Sequence, residues 1–237
     1  MQLYAKFAGL KRAFGLSGAA LYLAGRALAR IVPGGAVHRY RLVAQPVPPG
    51  DLLPAGRGAG IEVRRLDAGD PALAALPVGP DVLAFRFAQG AVCLGAFRKE
   101  EPIGCLWLTF GAYEEDEVRC VFDLSDAAPA AWDFDVWLRP DARLGFGFPR
   151  LWDAANALLR EKGIAWSFSR ISVFSPGSLA AHTRMGAVPV GSLTAVQGAG
   201  RQLVFSSVPP RVRWSRLDGA LPRYRLSAPP VRGSQIR

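Results

Sequence analysis

From Ile61 onward the chain alternates between short apolar runs with a period of two and longer stretches with a period near 3.6. Ile61 to Leu66 sets apolar against charged positions, as a half-exposed strand does, and Ala72 to Gln89 has helical stretches broken at Pro77 and Pro80. Ala91 to Arg98 and Ile103 to Phe110 are apolar runs joined by Lys99-Glu100-Glu101-Pro102, the pattern of a hairpin with a charged connection. Trp132 to Leu138 places Trp132, Phe134, Val136 and Leu138 on one face and Asp133, Asp135 and Trp137 on the other, so two carboxylates are expected to share a strand face. Gly147 to Glu161 reads as an amphipathic helix with Leu151, Trp152, Ala155, Leu158 and Leu159 inward and Gly163 as its stop. Ser167 to Phe174 is a further strand, Ser175-Pro176 opens a short helix ending at Gly186, and Val188 to Val196 with Gln202 to Ser206 form a last hairpin.

The first sixty residues follow another pattern. Leu3, Phe7, Leu10 and Phe14 recur at helical spacing while Lys6, Lys11 and Arg12 take other faces, which predicts a basic amphipathic helix. The uncharged run from Ala13 to Gly25 is shorter than the roughly 20 residues a spanning helix needs. The basic residues that follow it argue against a secretory leader, although Ala27-Leu28-Ala29 has the form of a cleavage site. This region, with Leu21, Leu23, Leu28 and Ile31, either packs on the protein or a second subunit, or lies on an anionic membrane surface through residues 1–32. Val32-Pro33-Gly34-Gly35 ends it, and Gln45 to Gly60 reads as a linker.

Charge sharpens this division. The 237 residues carry a net charge of +10, but residues 1–50 sum to +7, residues 51–210 to −3 and residues 211–237 to +6. The middle of the chain is mildly acidic, so an anionic partner would be met by the ends. The expected organisation is a basic helical extension and linker at 1–60, a catalytic or binding domain at 61–207, and an Arg- and Pro-rich arm at 208–237. That arm carries Arg211, Arg213, Arg216, Arg223, Arg225, Arg232 and Arg237 beside Trp214 and Tyr224. It suits wrapping of the acidic core or another subunit; binding of single-stranded nucleic acid or lipid head groups is the less favoured use. The string Arg-Tyr-Arg-Leu occurs at 39–42 and again at 223–226, which side-by-side strand pairing or coincidence would explain. Cys93, Cys105 and Cys120 fit neither a disulfide framework nor a metal site, and with only His38 and His182 available no metal is expected. A reduced, cytoplasmic setting follows, with peripheral contact to the inner membrane face as its extension.

The order of elements, together with three local motifs, resembles the GNAT superfamily of acyl-CoA-dependent N-acyltransferases. Asp135-Val136-Trp137-Leu138-Arg139-Pro140 is similar to that family's E-L-x-V-x-P strand. Arg143-Leu144-Gly145-Phe146-Gly147 is similar to its Gly-rich pyrophosphate loop, with Ala142 where a basic residue is usual. Ser175 to Ala187 is similar to its N-x-x-S-x-x-x-Y-x-x-x-G-F segment, with Ser178, His182 and Gly186 in register. The likeness covers about residues 61–206.

The resemblance implies an α/β fold with a mostly antiparallel mixed sheet flanked by helices. It implies acetyl transfer from acetyl-CoA, or another acyl-CoA, to a primary amine by direct attack in a ternary complex. Asp135 would take the amine proton, Asp133 would raise its basicity by like-charge coupling, and His182 would protonate the leaving thiolate. Coenzyme contacts would fall on Trp137, Leu138, Arg139, Arg143, Leu144, Gly145, Phe146, Gly147, Phe148, Ser175 and Ser178, with the backbone of 136–138 polarising the thioester. Glycine at 145 and 147 lets converging amides approach a pyrophosphate, and Arg143 and Arg150 add charge. Glu114 to Glu117 is either an acidic rim that attracts the amine or a solvated loop. The alternative is a catalytically degenerate module of the same fold that binds through its basic arms.

Overall fold

The computed structural model describes residues 2–127 and 129–229, without the side chains of residues 2–8 and 13. The expected face of Leu3, Lys6 and Phe7, and the arm's Arg232 and Arg237, lie outside the described residues. In chain order the elements are α1 (Gln2–Ile31), β1 (Ala36–Pro46), β2 (Glu62–Leu66), α2 (Pro80–Ala88), β3 (Val92–Arg98), β4 (Glu101–Phe110), β5 (Ala112–Glu114), β6 (Val121–Asp123), β7 (Ala130–Leu138), α3 (Gly147–Glu161), β8 (Trp166–Ser172), α4 (Pro176–Arg184), β9 (Val188–Gly198), β10 (Arg201–Ser206), β11 (Val212–Arg216) and β12 (Arg223–Arg225). This is a mixed α/β fold with mostly antiparallel strands flanked by helices, as the resemblance implies.

The residues group into two compact units. The central unit comprises Pro46–Tyr113 and Ala127–Ser169; the terminal unit comprises Met1–Gln45, Glu114–Asp126 and Arg170–Arg237.

In the central unit β2, β3, β4 and β7 pair antiparallel in that order, and β7 pairs parallel with the start of β8. The β3–β4 connection turns through Lys99 and Glu100, both at positive φ (50° and 67°), which matches the right-handed twist of the two strands. Helix α3 lies across β2, β3, β4 and β7 and buries Leu151, Trp152, Ala155 and Leu159. A second apolar layer stacks Phe87, Trp107, Phe134 and Tyr113 in series. Cys93 and Cys105 are buried free thiols on adjacent strands of this sheet.

In the terminal unit β1, β9, β10 and β11 form an antiparallel array. Tyr40, Leu42, Leu193, Ala195 and Val204 are buried on one face of it. Helix α1 packs on the other face: a Cβ at Gly25 would meet Val37 of β1, and one at Gly198 of β9 would meet Val32. The helix breaks at Gly15, whose φ of 72° a side chain would strain. Residues 36–46, expected as the end of an extension and the start of a linker, are a strand, because Tyr40, Leu42 and Ala44 alternate with Arg39, Arg41 and Val43 and are buried.

The two Arg-Tyr-Arg-Leu strings do not pair. Tyr40 belongs to β1 against β9, whereas Tyr224 belongs to β12, which runs parallel to β6 in a separate three-stranded sheet. The C-terminal arm follows the acidic segment of this unit. Arg223 and Arg225 meet Asp123, at 3.1 and 3.8 Å, and β11 extends the larger array.

Candidate functional site

The centre of the site is a β-bulge in β7. On β4, Cys105 and Trp107 are two residues apart; their partners on β7, Trp137 and Phe134, are three apart. The extra residue is taken up at Asp135, whose φ is 49°. A bulge reverses the alternation beyond it, and the predicted sharing of one face by Asp133 and Asp135 fails for that reason. Register puts Trp132, Phe134 and Trp137 on the Trp107 face, and Asp133 with Leu138 on the face that α3 covers.

Each carboxylate therefore has its own environment. Asp133 is 1% exposed, and Ser167 Oγ of β8 donates to it at 2.6 Å. Burial pushes its carboxyl up to about 7, against the Ser167 and Ser169 hydroxyls that hold it down. Asp135 turns toward α2 and pairs with Arg86 at 2.6 Å. The Arg86 guanidinium is buried, lying 5.2 Å from the ring centres of both Trp107 and Phe134. Arg86 is a site residue that sequence reasoning missed. Its signal was a single cation within the apolar helix Val82-Leu83-Ala84-Phe85-Arg86-Phe87.

Beyond the bulge, β7 ends against β4 at a close contact. A Cβ at Gly104 would sit 2.5 Å from Leu138 Cδ2 and 2.7 Å from the Trp137 carbonyl oxygen. The parallel pairing of β7 with β8 runs from Ala130↔Trp166 to Trp132↔Phe168. The Leu138 carbonyl then accepts from Arg143 Nε at 3.1 Å, so Arg143 folds back onto the strand end. Arg139 is held outside by Asp141 and Glu101.

The loop 143–146 leads into the N-terminus of α3. Its two glycines do different work. A Cβ on Gly147 would meet Leu138 Cδ2 at 2.9 Å, so this position is needed for packing. A Cβ on Gly145 would come no nearer than 3.8 Å to Ala142 O, so the side of the loop away from the protein is open there. Leu144 and Phe146 are exposed and Phe148 is half-buried. The first-turn amides of Gly147 and Phe148 have no acceptor within the helix, and the helix dipole adds positive potential at this point. Arg57 lies over the Phe146 ring, and Arg150 Nε donates to the Ile61 carbonyl, so Arg57, Arg143 and Arg150 all stand on residues of this loop or its neighbours. Arg57 was not read from the sequence, where it sits in an apparent linker.

The remaining predicted residues belong to the terminal unit. Ser175 precedes α4, and its hydroxyl is 2.8 Å from that of Ser178. His182 is buried, with Nδ1 3.1 Å from Gln45 Oε1, and burial lowers its pKa to about 4. An amide oxygen can only accept, so this contact puts the imidazole proton on Nδ1.

The acidic segment is neither rim nor solvated loop at its centre. Glu115 is fully buried and takes a bidentate ion pair from Arg170, whose other nitrogen reaches Glu117 at 2.9 Å. Glu114 pairs with Arg119 at 2.7 Å, and Glu117 also accepts from the Tyr40 hydroxyl. Burial pushes the Glu115 carboxyl up, while its paired Arg170 is held firmly charged. These carboxylates are largely spent on the protein's own cations.

Over part of its length the chain is similar to solved structures of N-acetyltransferases. An aminoglycoside acetyltransferase from an uncultured soil metagenomic sample aligns with 54% of this chain and 88% of its own, at 13% identity and a TM-score of 0.40. A GCN5-related N-acetyltransferase from Ralstonia eutropha aligns with 54% of this chain and 92% of its own, at 16% identity and a TM-score of 0.37. An aminoglycoside N-acetyltransferase in complex with CoA aligns with 57% and 91%, at 15% identity and a TM-score of 0.43. No family model and no curated protein matches the sequence.

Proposed function

We propose that the chain is an acyl-CoA-dependent N-acyltransferase that moves an acetyl group from acetyl-CoA to a primary amine by direct attack. The observation that carries this reading is the strand–loop–helix run from the Asp135 bulge to the α3 N-terminus, which sets a carboxylate, the end of a bulged strand and an exposed loop leading into a helix N-terminus within fourteen residues, 135 to 148. Acyl-CoA, when bound, supplies the activated thioester. The chain's own residues do the rest.

The amides of Gly147 and Phe148, with Arg57, Arg143 and Arg150 nearby, offer the donors and charge a pyrophosphate needs, and Gly145 leaves the space for it. The backbone of 136–138 aligns the pantetheine arm and polarises the thioester carbonyl. Trp137, Leu138, Arg139, Leu144, Phe146 and Phe148 would line the same path. Asp135 takes the proton from the attacking amine, directly or through one water, and Arg86 fixes the rotamer of its carboxylate. Ser175 and Ser178 remain coenzyme contacts on the resemblance. His182 is neutral at pH 7 with its lone pair at Nε2. In this reading it relays to the thiolate a proton taken at that nitrogen from water, while Asp135 returns the amine proton to solvent.

The test is a thermal-shift titration of the full chain with CoA, acetyl-CoA and longer acyl-CoAs. Ligand at about 100 times Kd adds about 2.7 kcal/mol, or several degrees. A saturable shift that ranks acyl length, followed by thiol release with a panel of amines and its loss in Asp135→Ala, is the expected result. The absence of a shift with every coenzyme overturns the reading.

A further inference from the structure

The sheet face on which α1 packs is only half covered. Cross-strand register runs Val37↔Val196↔Leu203↔Trp214 across β1, β9, β10 and β11, so these four side chains share a face. Helix α1 sits over the Val37 end of that row. At the other end Trp214 is 56% exposed, with Phe205 and Val212, an opposed pair on the same face, at 47% and 59%.

The helix adds to this surface. On its outward side Leu16, Leu23 and Ile31 are exposed at 62%, 43% and 77%, and the spacing of 7 and 8 residues puts them on one stripe. Six large apolar side chains therefore look out from one side of the array. Isolated exposed hydrophobics need no explanation, but an aligned group does.

Charge selects what would cover them. Residues 1–50 and 171–217 contain no Asp or Glu, against seven and five Lys or Arg. Arg26 and Arg30 are exposed on α1, and Arg201 and Arg216 on the Trp214 face of the β10–β11 hairpin, with Arg201 over the Trp214 ring and Arg216 paired with Asp218 at 2.9 Å. A second copy would oppose cations to cations. Nucleic acid would use Trp214 and the arginines, but it offers nothing to Leu16, Leu23, Ile31 and Val212, which cannot stack on bases. Aliphatic and aromatic side chains ringed by Arg, with Asp218 on Arg216 as the one acid beside them, match an anionic lipid surface, where the apolar groups enter the acyl boundary and the guanidinium groups stay among the phosphates. Among the described residues no helix is long and apolar enough to cross a membrane, so the contact would be one of lying on the surface.

We infer that the outward face of α1 and the open β10–β11 face form one docking surface for an anionic membrane. This goes beyond the transferase reading and does not depend on it.

The experiment is co-sedimentation of the full chain with phosphatidylcholine vesicles and with vesicles containing phosphatidylglycerol. Sedimentation with the anionic vesicles is expected, weakened about tenfold by Trp214→Ser and again by Leu23→Ser. Leu52→Ser in the central unit, also an exposed leucine, should leave it unchanged. All three positions are exposed, and equal melting temperatures will show that folding is intact. Brominated acyl chains should quench tryptophan emission in the unaltered protein, and Trp214→Phe should remove that quenching while retaining sedimentation. Four outcomes would each overturn the inference: no sedimentation with either vesicle, sedimentation indifferent to both apolar substitutions, displacement of the protein from vesicles by a short oligonucleotide, or a lipid-free dimer that Trp214→Ser dissociates.

Discussion

Arg86 and Asp135 form an ion pair at 2.6 Å in which the two partners are unequally buried, at 7% and 37% side-chain exposure. The guanidinium is enclosed by Trp107 and Phe134, and the carboxylate stands at a bulge with one side open. Removing either partner therefore has different costs. Asp135→Ala takes the carboxylate from a buried cation and should lower stability by about 3 kcal/mol. Arg86→Met leaves a carboxylate that water can reach, and should cost about half as much. In the transferase reading the second variant keeps the base but frees its rotamer, so kcat falls about tenfold with KM for acetyl-CoA unchanged. Urea unfolding and steady-state kinetics on the two variants check this, and equal stability losses would contradict it.

The buried Asp133 carries a pH signature. Its folded pKa of about 7 lies above the unfolded value of 3.8, so the folded state binds the proton more tightly and stability falls as pH rises from about 4 to 7. His182 works the other way. Its folded value of about 4 lies below 6.5, so its contribution is lost as pH falls from 6.5 to 4. The two slopes oppose each other across that window. Asp133→Asn removes one of two falling slopes, that of the buried Glu115 remaining, so relative to the unaltered chain the variant should gain stability as pH rises from 4.5 to 6.5, by up to about 1.4 kcal/mol per pH unit. Parallel pH profiles would refute the assignment.

The two loop glycines should separate stability from coenzyme affinity. Gly147→Ala forces a methyl group into Leu138 and should cost about 1–3 kcal/mol. Gly145→Val meets no such wall, so its melting temperature should change little while the affinity for CoA drops. Calorimetric titration beside thermal melts distinguishes the two, and a Gly145→Val protein that binds CoA normally would remove the loop from the proposed site.

Glu115 and Arg170 should couple strongly. Glu115→Ala leaves a largely buried guanidinium with the more exposed Glu117 and, at 3.9 Å, Asp116, and should destabilise by about 3 kcal/mol. Combining Glu115→Leu with Arg170→Met removes both charges and should recover much of that loss. Additive effects in the double-variant cycle would show that the bidentate geometry is not energetically used.

Much of the architecture was legible because its signals are local. Helix α3 was predicted at Gly147 to Glu161 and lies there, since five apolar positions on one face and a terminal Gly163 depend only on neighbours along the chain. The hairpins β3–β4 and β9–β10, the strand β7 and the proline start of α4 were legible for the same reason, although the Ser175 hydroxyl meets that of Ser178 and caps no amide. Strand β1 was hidden by its basic setting, and β5, β6 and β12 are three residues each, too short for a periodic signal.

By itself the sequence determined which residue types stand between β7 and α3, because the Gly-rich turn and the strand before it are contiguous. It also determined that the ends of the chain are cationic. The tertiary structure alone decided how those residues are used. One extra residue against β4, invisible in a period-two pattern, sends Asp133 and Asp135 to opposite faces. Arg86, 49 positions earlier, becomes a site residue only when α2 lays it across two aromatic rings. Glu115 and Glu117 meet the Arg170 guanidinium and the Tyr40 hydroxyl only because β8 and β1 bring them from distant places in the chain. Periodicity records what a residue owes to its neighbours in sequence; burial and charge pairing depend on groups that folding alone brings into contact.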